Sequence, residues 1–409
     1  MKDVILNIFA EVVDLLAAEK YIKLEHYFLD GTKIEANANK YSWVWSKSTS
    51  RYKEQLREKC KKLFDDIDEL QREENERYGD NDLSELGTDK PIDSEAIQRA
   101  AERINERLKK KPDDKQLKKA QRSIENDYLP RMEKYEEQER ILKKRRSYSK
   151  TDQDATFMRM KEDHMKNGQL KPGYNIQIGT ENQFVIGYSA HQRPGDTSCM
   201  IDHLNVAENI LGKLPSTIIA DAGYGSEQNY EAMEKLNLTA YVKYNTFHKE
   251  MSKAWKEDQT RPQNWTYHAQ TDTYYCSKNR PLIYIGDKKS KTENGYETTS
   301  RVYECLNCEG CPIQDQCVKT KEPQQYDNRR IYVNRKKETF CKKTRDLLLS
   351  EDGIKLRSRR AIEPESVFGN IKGNFGVRRF MLKGLDKIKI EWGLICIAHN
   401  MRKMTALMA

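Results

Sequence analysis

The chain has 409 residues, enough for two or three domains of ordinary size and for a sizeable core. Lys and Arg number 73 against 64 Asp and Glu, a formal charge of +9 that favours a polyanionic partner, although a lysine-rich solvated surface gives the same balance. With 33 % charged residues, a mean hydropathy of −0.94 and no apolar run near the roughly 18 residues of a span, an integral membrane protein is excluded. The Met1-Lys-Asp-Val start is unlike a secretory leader, so a cytoplasmic protein is expected.

Residues 3–20 place Ile5, Ile8, Phe9, Val12, Val13, Leu15 and Leu16 at helical spacing, which predicts an amphipathic helix docked on a core. The apolar run Phe28-Leu-Asp30-Gly predicts a strand that ends on a carboxylate. Residues 51–148 then change character. Leu56, Cys60, Leu63, Ile67 and Leu70 recur at three and four, as do Ile97, Ala101, Ile104 and Leu108, and Leu117, Ala120, Ile124 and Tyr128. Gly79, Gly87, Pro91, Pro112 and Pro130 interrupt the pattern, and the block reads as an inserted helical hairpin or coiled-coil arm whose charged faces are solvated.

From Gly173 strands return. Tyr174-Asn-Ile-Gln-Ile-Gly and Phe184-Val-Ile-Gly-Tyr-Ser-Ala flank the hairpin-like turn Thr180-Glu-Asn-Gln. A helix from about Ser198 to Leu211, a strand from Thr217 to Asp221, a helix through Tyr230, Met233 and Leu236, and a strand at Leu238-Thr-Ala-Tyr-Val follow. Short aromatic strands such as Thr273-Tyr-Tyr-Cys and Leu282-Ile-Tyr-Ile-Gly occupy residues 245–350, and a long helix from about Lys387 to Met404 closes the chain. The boundaries expected are 1–45 for a first helix and strand, 46–150 for the arm, 151–244 for the core, 245–350 for a β-rich cysteine-bearing insertion, and 351–409 for the helical close of the core.

Three carboxylate-bearing stretches carry the chemistry: Phe28-Leu-Asp30-Gly-Thr-Lys, Ile218-Ile-Ala-Asp221-Ala-Gly-Tyr224-Gly and Ile362-Glu-Pro-Glu365-Ser-Val-Phe-Gly-Asn-Ile-Lys372. In the third, Pro364 suits a first helical turn, and Glu365 and Lys372 stand seven apart, so both project from nearly one face. Glu363 lies two positions from Glu365, about 200 degrees round a helix, and its counterpart seven on is the uncharged Asn370. Glu365 is therefore the acid set beside a phosphate-seeking base, and Glu363 an acid at the helix start. The set, continued by Phe375-Gly-Val-Arg378-Arg379-Phe380 and Ala398-His-Asn400-Met-Arg-Lys403, resembles the DDE transposases of bacterial insertion sequences over residues 20–405, apart from most of the arm.

That resemblance implies an RNase H-like α/β core, which the order of strands and helices also suits once the arm is taken as an insertion after the first strand. It implies two Mg2+ (or Mn2+) ions, Asp30 bridging both, Asp221 binding one and Glu365 the other, because paired hard cations activate an oxygen nucleophile and stabilise the leaving oxygen. It implies a partner in double-stranded DNA, the inverted-repeat ends of a mobile element and its target, with Lys372 holding a phosphate and Arg378 and Arg379 contacting backbone. A homo-oligomer assembled on DNA and a nucleoid-associated bacterial location follow from it. Family members usually carry a helical domain before the Asp-Gly-Thr strand, whereas about 25 residues precede it here. A shortened copy, or one of two reading frames, is the corresponding expectation. The competing readings are a metal-dependent nuclease that cuts without joining and a DNA-binding remnant without activity.

Of nine cysteines, Cys305, Cys308, Cys311 and Cys317 crowd at metal-ligand spacing, and Cys276 on a neighbouring strand offers a fifth thiolate. A structural Zn2+ held by four of these five is expected, against the alternative of free thiols packed as small hydrophobes. Cys60, Cys199, Cys341 and Cys396 read as lone buried residues, and the seven histidines show no ligand spacing.

Overall fold

A computed structural model describes residues 2–78, 92–160, 168–292, 294–318 and 328–408. The fold mixes α and β and divides into two compact units. The first comprises Met1–Ile34, Asn175–Arg378 and Asp386–Ala409; the second comprises Glu35–Tyr174 and Arg379–Leu385.

The first unit holds most of a six-stranded sheet, with β1 (His26–Glu35), β2 (Leu170–Glu181), β3 (Phe184–His191), β4 (Thr217–Ala220) and β5 (Thr239–Val242) in the order β3-β2-β1-β4-β5. β2 and β3 are antiparallel, while β1, β4 and β5 run parallel. The β2–β3 turn is the two residues Asn182 and Gln183, both at positive φ (51° and 63°), the twist-matched hairpin geometry. A glutamine is strained there, and its backbone is held from outside. Glu363 accepts the Gln183 N–H at 2.7 Å, and His399 lies 3.0 Å from the Gln183 carbonyl. Asn400 accepts from the Val185 N–H and donates to the Val185 carbonyl, imitating a neighbouring strand at the edge of β3.

Glycine is required at two points of the hairpin. A Cβ at Gly179 would meet the Tyr27 ring at 1.8 Å and one at Gly187 the Tyr27 hydroxyl at 2.3 Å, so both positions leave room for this side chain. Its hydroxyl reaches Nε2 of His203 on the Met200–Leu211 helix. The Lys2–Ala18 helix packs on that same helix and buries Ile5, Phe9, Val13 and Leu16. Ile8 and Leu15 stay exposed, so its apolar stripe is narrower than the sequence pattern suggests.

Five antiparallel strands, Thr266–His268, Thr273–Tyr275, Pro281–Lys291, Glu297–Cys305 and Arg330–Val333, form a second sheet in this unit. Its aliphatic content is low, and Trp265, Tyr274, Leu282, Tyr303, Cys305, Cys308, Ile331 and Val333 make its core. Asp272 ties the sheet together by accepting from Tyr267 and Tyr303 and pairing with both terminal nitrogens of Arg301.

In the second unit the helices Ser46–Tyr78, Ser94–Lys110, Lys115–Ser123 and Leu129–Leu142 enclose a core of Leu56, Cys60, Phe64, Ile67, Ile97, Ala101, Ile104, Ala120, Ile124 and Met132. This is a closed helical cluster rather than a simple hairpin. Asp93 and Asp114 cap two helices, and Pro112 falls between them. Pro130 does not break the structure. It sits in the first turn of its helix behind a π turn, Ile124–Tyr128, whose widened ring absorbs the missing N–H. Gly79, Gly87 and Pro91 lie outside the described residues, as does the side chain of Leu70.

Candidate active site

The register of the parallel strands builds the site. Phe28 pairs with Ile219, so two steps further on Asp30 is level with Asp221. Asp30 does not end its strand as its position before Gly31 suggests; β1 continues to Glu35, while β4 stops at Ala220. Asp30 is thus 5 % exposed, whereas Asp221 opens the loop beyond β4 and accepts the Gly223 N–H at 2.8 Å. Glu365 comes from the first turn of the Glu363–Gly369 helix. That helix starts at Glu363, one residue earlier than Pro364 implies.

One guanidinium gathers the three acids. Arg360, the last residue of the Glu351–Arg360 helix, places one terminal nitrogen 3.0 Å from Asp30 Oδ1 and 3.4 Å from Asp221 Oδ2, and the other 3.9 Å from Glu365 Oε1. The Arg360 and Asp30 side chains are 12 % and 7 % exposed, whereas those of Asp221 and Glu365 are 39 % and 59 % exposed, so only the Arg360–Asp30 contact is desolvated and the Glu365 contact is a loose surface approach. Glu363 is buried and otherwise engaged: it pairs with Arg359 at 2.9 Å and holds the β2–β3 turn.

Groups behind the acids respond to their charge. Lys243, one residue past β5, has its pKa lowered by burial and by Arg360 and Arg357, with Asp221 opposing. Tyr224 is wholly buried, its pKa raised by desolvation and then by Asp196, Asp30 and Asp221. Its hydroxyl donates to Gln177 Oε1. Gln177 and Asn175 are fully buried on β2, and both donate to Asp196 Oδ1, at 3.0 and 2.8 Å.

The expected phosphate-binding residues are less gathered. Lys372 rides on a π turn, Asn370–Asn374, that follows the Glu365 helix, so seven residues no longer equal two α-helical turns between them. Arg378 is exposed at the end of the first unit. Arg379 belongs to the second unit, where its guanidinium donates to the Ala36 and Ala38 carbonyls and to Asn37. That is a fold-holding arrangement.

Residues 275–405 match the family model described as the transposase DDE domain. Over that stretch the chain is similar to the transposase DDE domain. The match includes Glu365, Lys372 and Arg360 and begins after Asp30 and Asp221. No curated protein and no solved structure matched the chain. The DDE domain implies a nucleic-acid-processing enzyme that binds DNA, in a family that typically uses divalent metal ions. Among the described residues no helix is long and apolar enough to cross a membrane.

The metal expectations fare differently. The carboxylates of Asp30, Asp221 and Glu365 are oxygen donors that already surround one cationic head, the donor type that a hard divalent ion takes. They are spread about that head, however, and among the described residues no group of three or more His, Cys, Asp or Glu is disposed to hold a metal. The zinc expectation therefore finds no support. Cys276, Cys305, Cys308, Cys311 and Cys317 line a cavity of about 20 Å3 together with Trp265, Leu282 and Ile313. Burial, then hydrogen bonding with Cys308, pushes the Cys305 thiol up to about 12, and burial raises Cys317 as well. Cys305 and Cys308 belong to the core of the second sheet, with Cys276 and Cys317 packed against it.

Arg360 and Asp196 are absent from the sequence-based site. Arg360 left a faint signal, a basic pair five residues before Glu365. Asp196 left a clearer one, since Asn175 and Gln177 alternate with apolar residues in a strand buried on both faces and must serve a polar partner.

Proposed function

We propose that this chain is an insertion-sequence transposase that cuts DNA at the ends of its element and joins the freed 3′ ends to target DNA. Asp30, Asp221 and Glu365 are its metal-holding acids on an RNase H-like core. The observation that carries this reading is the convergence of all three carboxylates, remote in sequence, on the single Arg360 guanidinium. The strand order β3-β2-β1-β4-β5, with an antiparallel hairpin beside parallel strands, supports the fold assignment.

Divalent ions bound by these acids would supply Lewis acidity toward an attacking hydroxyl and the leaving oxygen. The chain's own residues do the rest. Asp30, rigid within its strand, fixes the position of the site, and Asp221 and Glu365 approach from a loop and a helix that substrate can reach. Arg360 neutralises the acids before ions and DNA arrive, and Lys372 and Arg378 supply positive charge to phosphates without reading sequence. Arg379, engaged with the 36–38 backbone, shapes the second unit instead. Assembly of several copies on paired ends is part of this reading.

The test is incubation of the protein with labelled duplexes carrying the flanks of its gene, plus target plasmid and Mg2+. Nicked ends followed by covalent end–target products are expected. Nicks without joining would favour the nuclease, and binding without nicks the inactive remnant.

A further inference from the structure

Lys243 is a cation at the edge of the same centre, and the three-acid pattern assigns it no role. The strand register places it. Phe28, Ile219 and Tyr241 are paired across β1, β4 and β5, and they share one apolar core with Leu356 of the Glu351–Arg360 helix. Two residues further along each strand the side chains return to that face, which gives the row Asp30, Asp221 and Lys243. Ala220 pairs with Val242, and the Lys243 N–H still reaches the Ala220 carbonyl at 3.4 Å, so Lys243 follows β5 level with Asp221. Parallel α/β sheets take their ligands beyond this carboxyl edge.

The helix over this face adds two more cations. Arg357 and Arg360 stand three apart and so share one side of a helix that packs on β4 and β5. Arg360 is taken up by the acids. Arg357 is not: its Nε donates to the Gly353 carbonyl of its own helix at 3.3 Å, and its guanidinium lies 5.3 Å from the centre of the Phe247 ring. Among the described residues neither Arg357 nor Lys243 forms an ion pair with a carboxylate. Of the charges acting on Lys243, Arg360 and Arg357 repel it and only Asp221 attracts it, and Asp221 already pairs with Arg360. A half-buried ammonium held beside two guanidinium groups is unfavourable until an anion joins them.

We infer that Lys243, with Arg357 beside it, binds a backbone phosphate of the DNA strand that lies across Asp221. The inference rests on the proposed function, which supplies that strand. An ammonium on a flexible stem offers a phosphate oxygen a point charge, and a guanidinium adds directed N–H donors. Contacts of this kind fix the position of a strand without reading its sequence.

The experiment measures binding of wild type, Lys243→Gln and Lys243→Arg to a duplex carrying the flank of the gene and to an unrelated duplex of equal length. Fluorescence anisotropy in EDTA is read from about 50 to 200 mM NaCl, with melting temperatures taken alongside. Lys243→Gln should bind both duplexes more weakly and to the same extent, with a slope of log K against log salt shallower by about 0.9, the value of one phosphate contact. Lys243→Arg should keep the wild-type slope. The melting temperature of Lys243→Gln should equal or exceed that of wild type, because a repelled charge is removed, whereas a merely structural lysine would lower it and leave the slope alone. A single methylphosphonate stepped through the phosphates flanking the cut should weaken wild type at one of them and leave Lys243→Gln unaffected there. An unchanged slope in folded Lys243→Gln, or no such phosphate near the cut, while wild type still binds and nicks the end, overturns this inference alone. No DNA binding by wild type overturns the proposed function and this inference with it. If Lys243→Gln does not fold, Arg357→Gln carries the same test. A shallower slope is again expected, and the wild-type slope contradicts the site.

Discussion

Arg360 places one guanidinium nitrogen within ion-pair distance of both Asp30 and Asp221, two acids brought level by parallel strands. Because Asp30 is buried, removing the Arg360 cation takes a desolvated ion-pair partner from its charge. Arg360→Gln should therefore destabilise metal-free protein by about 3 to 5 kcal/mol. Under the proposed function guanidinium and divalent ion would compete for the same oxygens, so millimolar Mg2+ should raise the melting temperature of the variant more than that of wild type. Equal Mg2+ shifts in the two proteins would contradict that competition.

The two neighbouring glutamates should separate stability from chemistry. Glu363→Gln removes the partner of Arg359 and weakens the hold on the strained Gln183 turn, so a loss of about 1 to 3 kcal/mol is expected. Its effect on cleavage should be about tenfold or less. Glu365→Gln, at an exposed side chain, should melt like wild type and lose several orders of magnitude in Mg2+-dependent cleavage. The reverse ranking, with both variants folded, would transfer the catalytic role to Glu363.

Acid should loosen the first unit through two histidines. Tyr27, His203, Ser189 and His191 form one hydrogen-bonded run. Burial lowers His203 to about 3, with His191 adding to the effect. Burial likewise lowers His191 to about 4, helped by Lys389 and Arg193 and opposed by Asp202 and Asp196. The unfolded chain, titrating near pH 6.5, binds more protons than the folded one between that pH and each folded value, so stability rises with pH there. Each histidine contributes a slope of up to about 1.4 kcal/mol per pH unit. Melting temperature should fall steadily from pH 6.5 to 4, and His203→Gln should flatten the fall. An identical pH profile in that variant would count against the network.

The packed-thiol description of the second sheet is checked by alkylation. With Cys305 raised to about 12 and Cys317 also raised by burial, iodoacetamide at pH 8 should modify both far more slowly than in urea. Labelling of native Cys305 as fast as in unfolded protein would show that the sheet does not enclose it.

Legibility in the sequence followed locality. Asp30, Asp221 and Glu365 each announce themselves within a few residues, by an apolar run before an acid or by the spacing to Lys372. The β2–β3 hairpin and the Met200–Leu211 helix were likewise visible as local periodicity. What pairs the acids was not, because Arg360 is one basic residue among 73 and only the strand register shows which of them meets Asp30. Asp196 was hidden for the same reason, being identified by two amides on another strand. Cysteine spacing at Cys305, Cys308, Cys311 and Cys317 leaves the zinc expectation without support, since spacing specifies neighbours but not whether thiols open onto a metal-sized point. Pro130 misled because a π turn can absorb a proline that an α-helix cannot.

The most direct test of the central claim is Mg2+-dependent cleavage of the element-end duplex by wild type and by Asp221→Asn, with DNA affinity and melting temperature measured on the same samples. Wild type should nick the end, and the variant should bind DNA comparably, stay folded and give no nicks. A folded Asp221→Asn protein that cleaves at the wild-type rate would contradict the assignment of this carboxylate cluster as the catalytic centre.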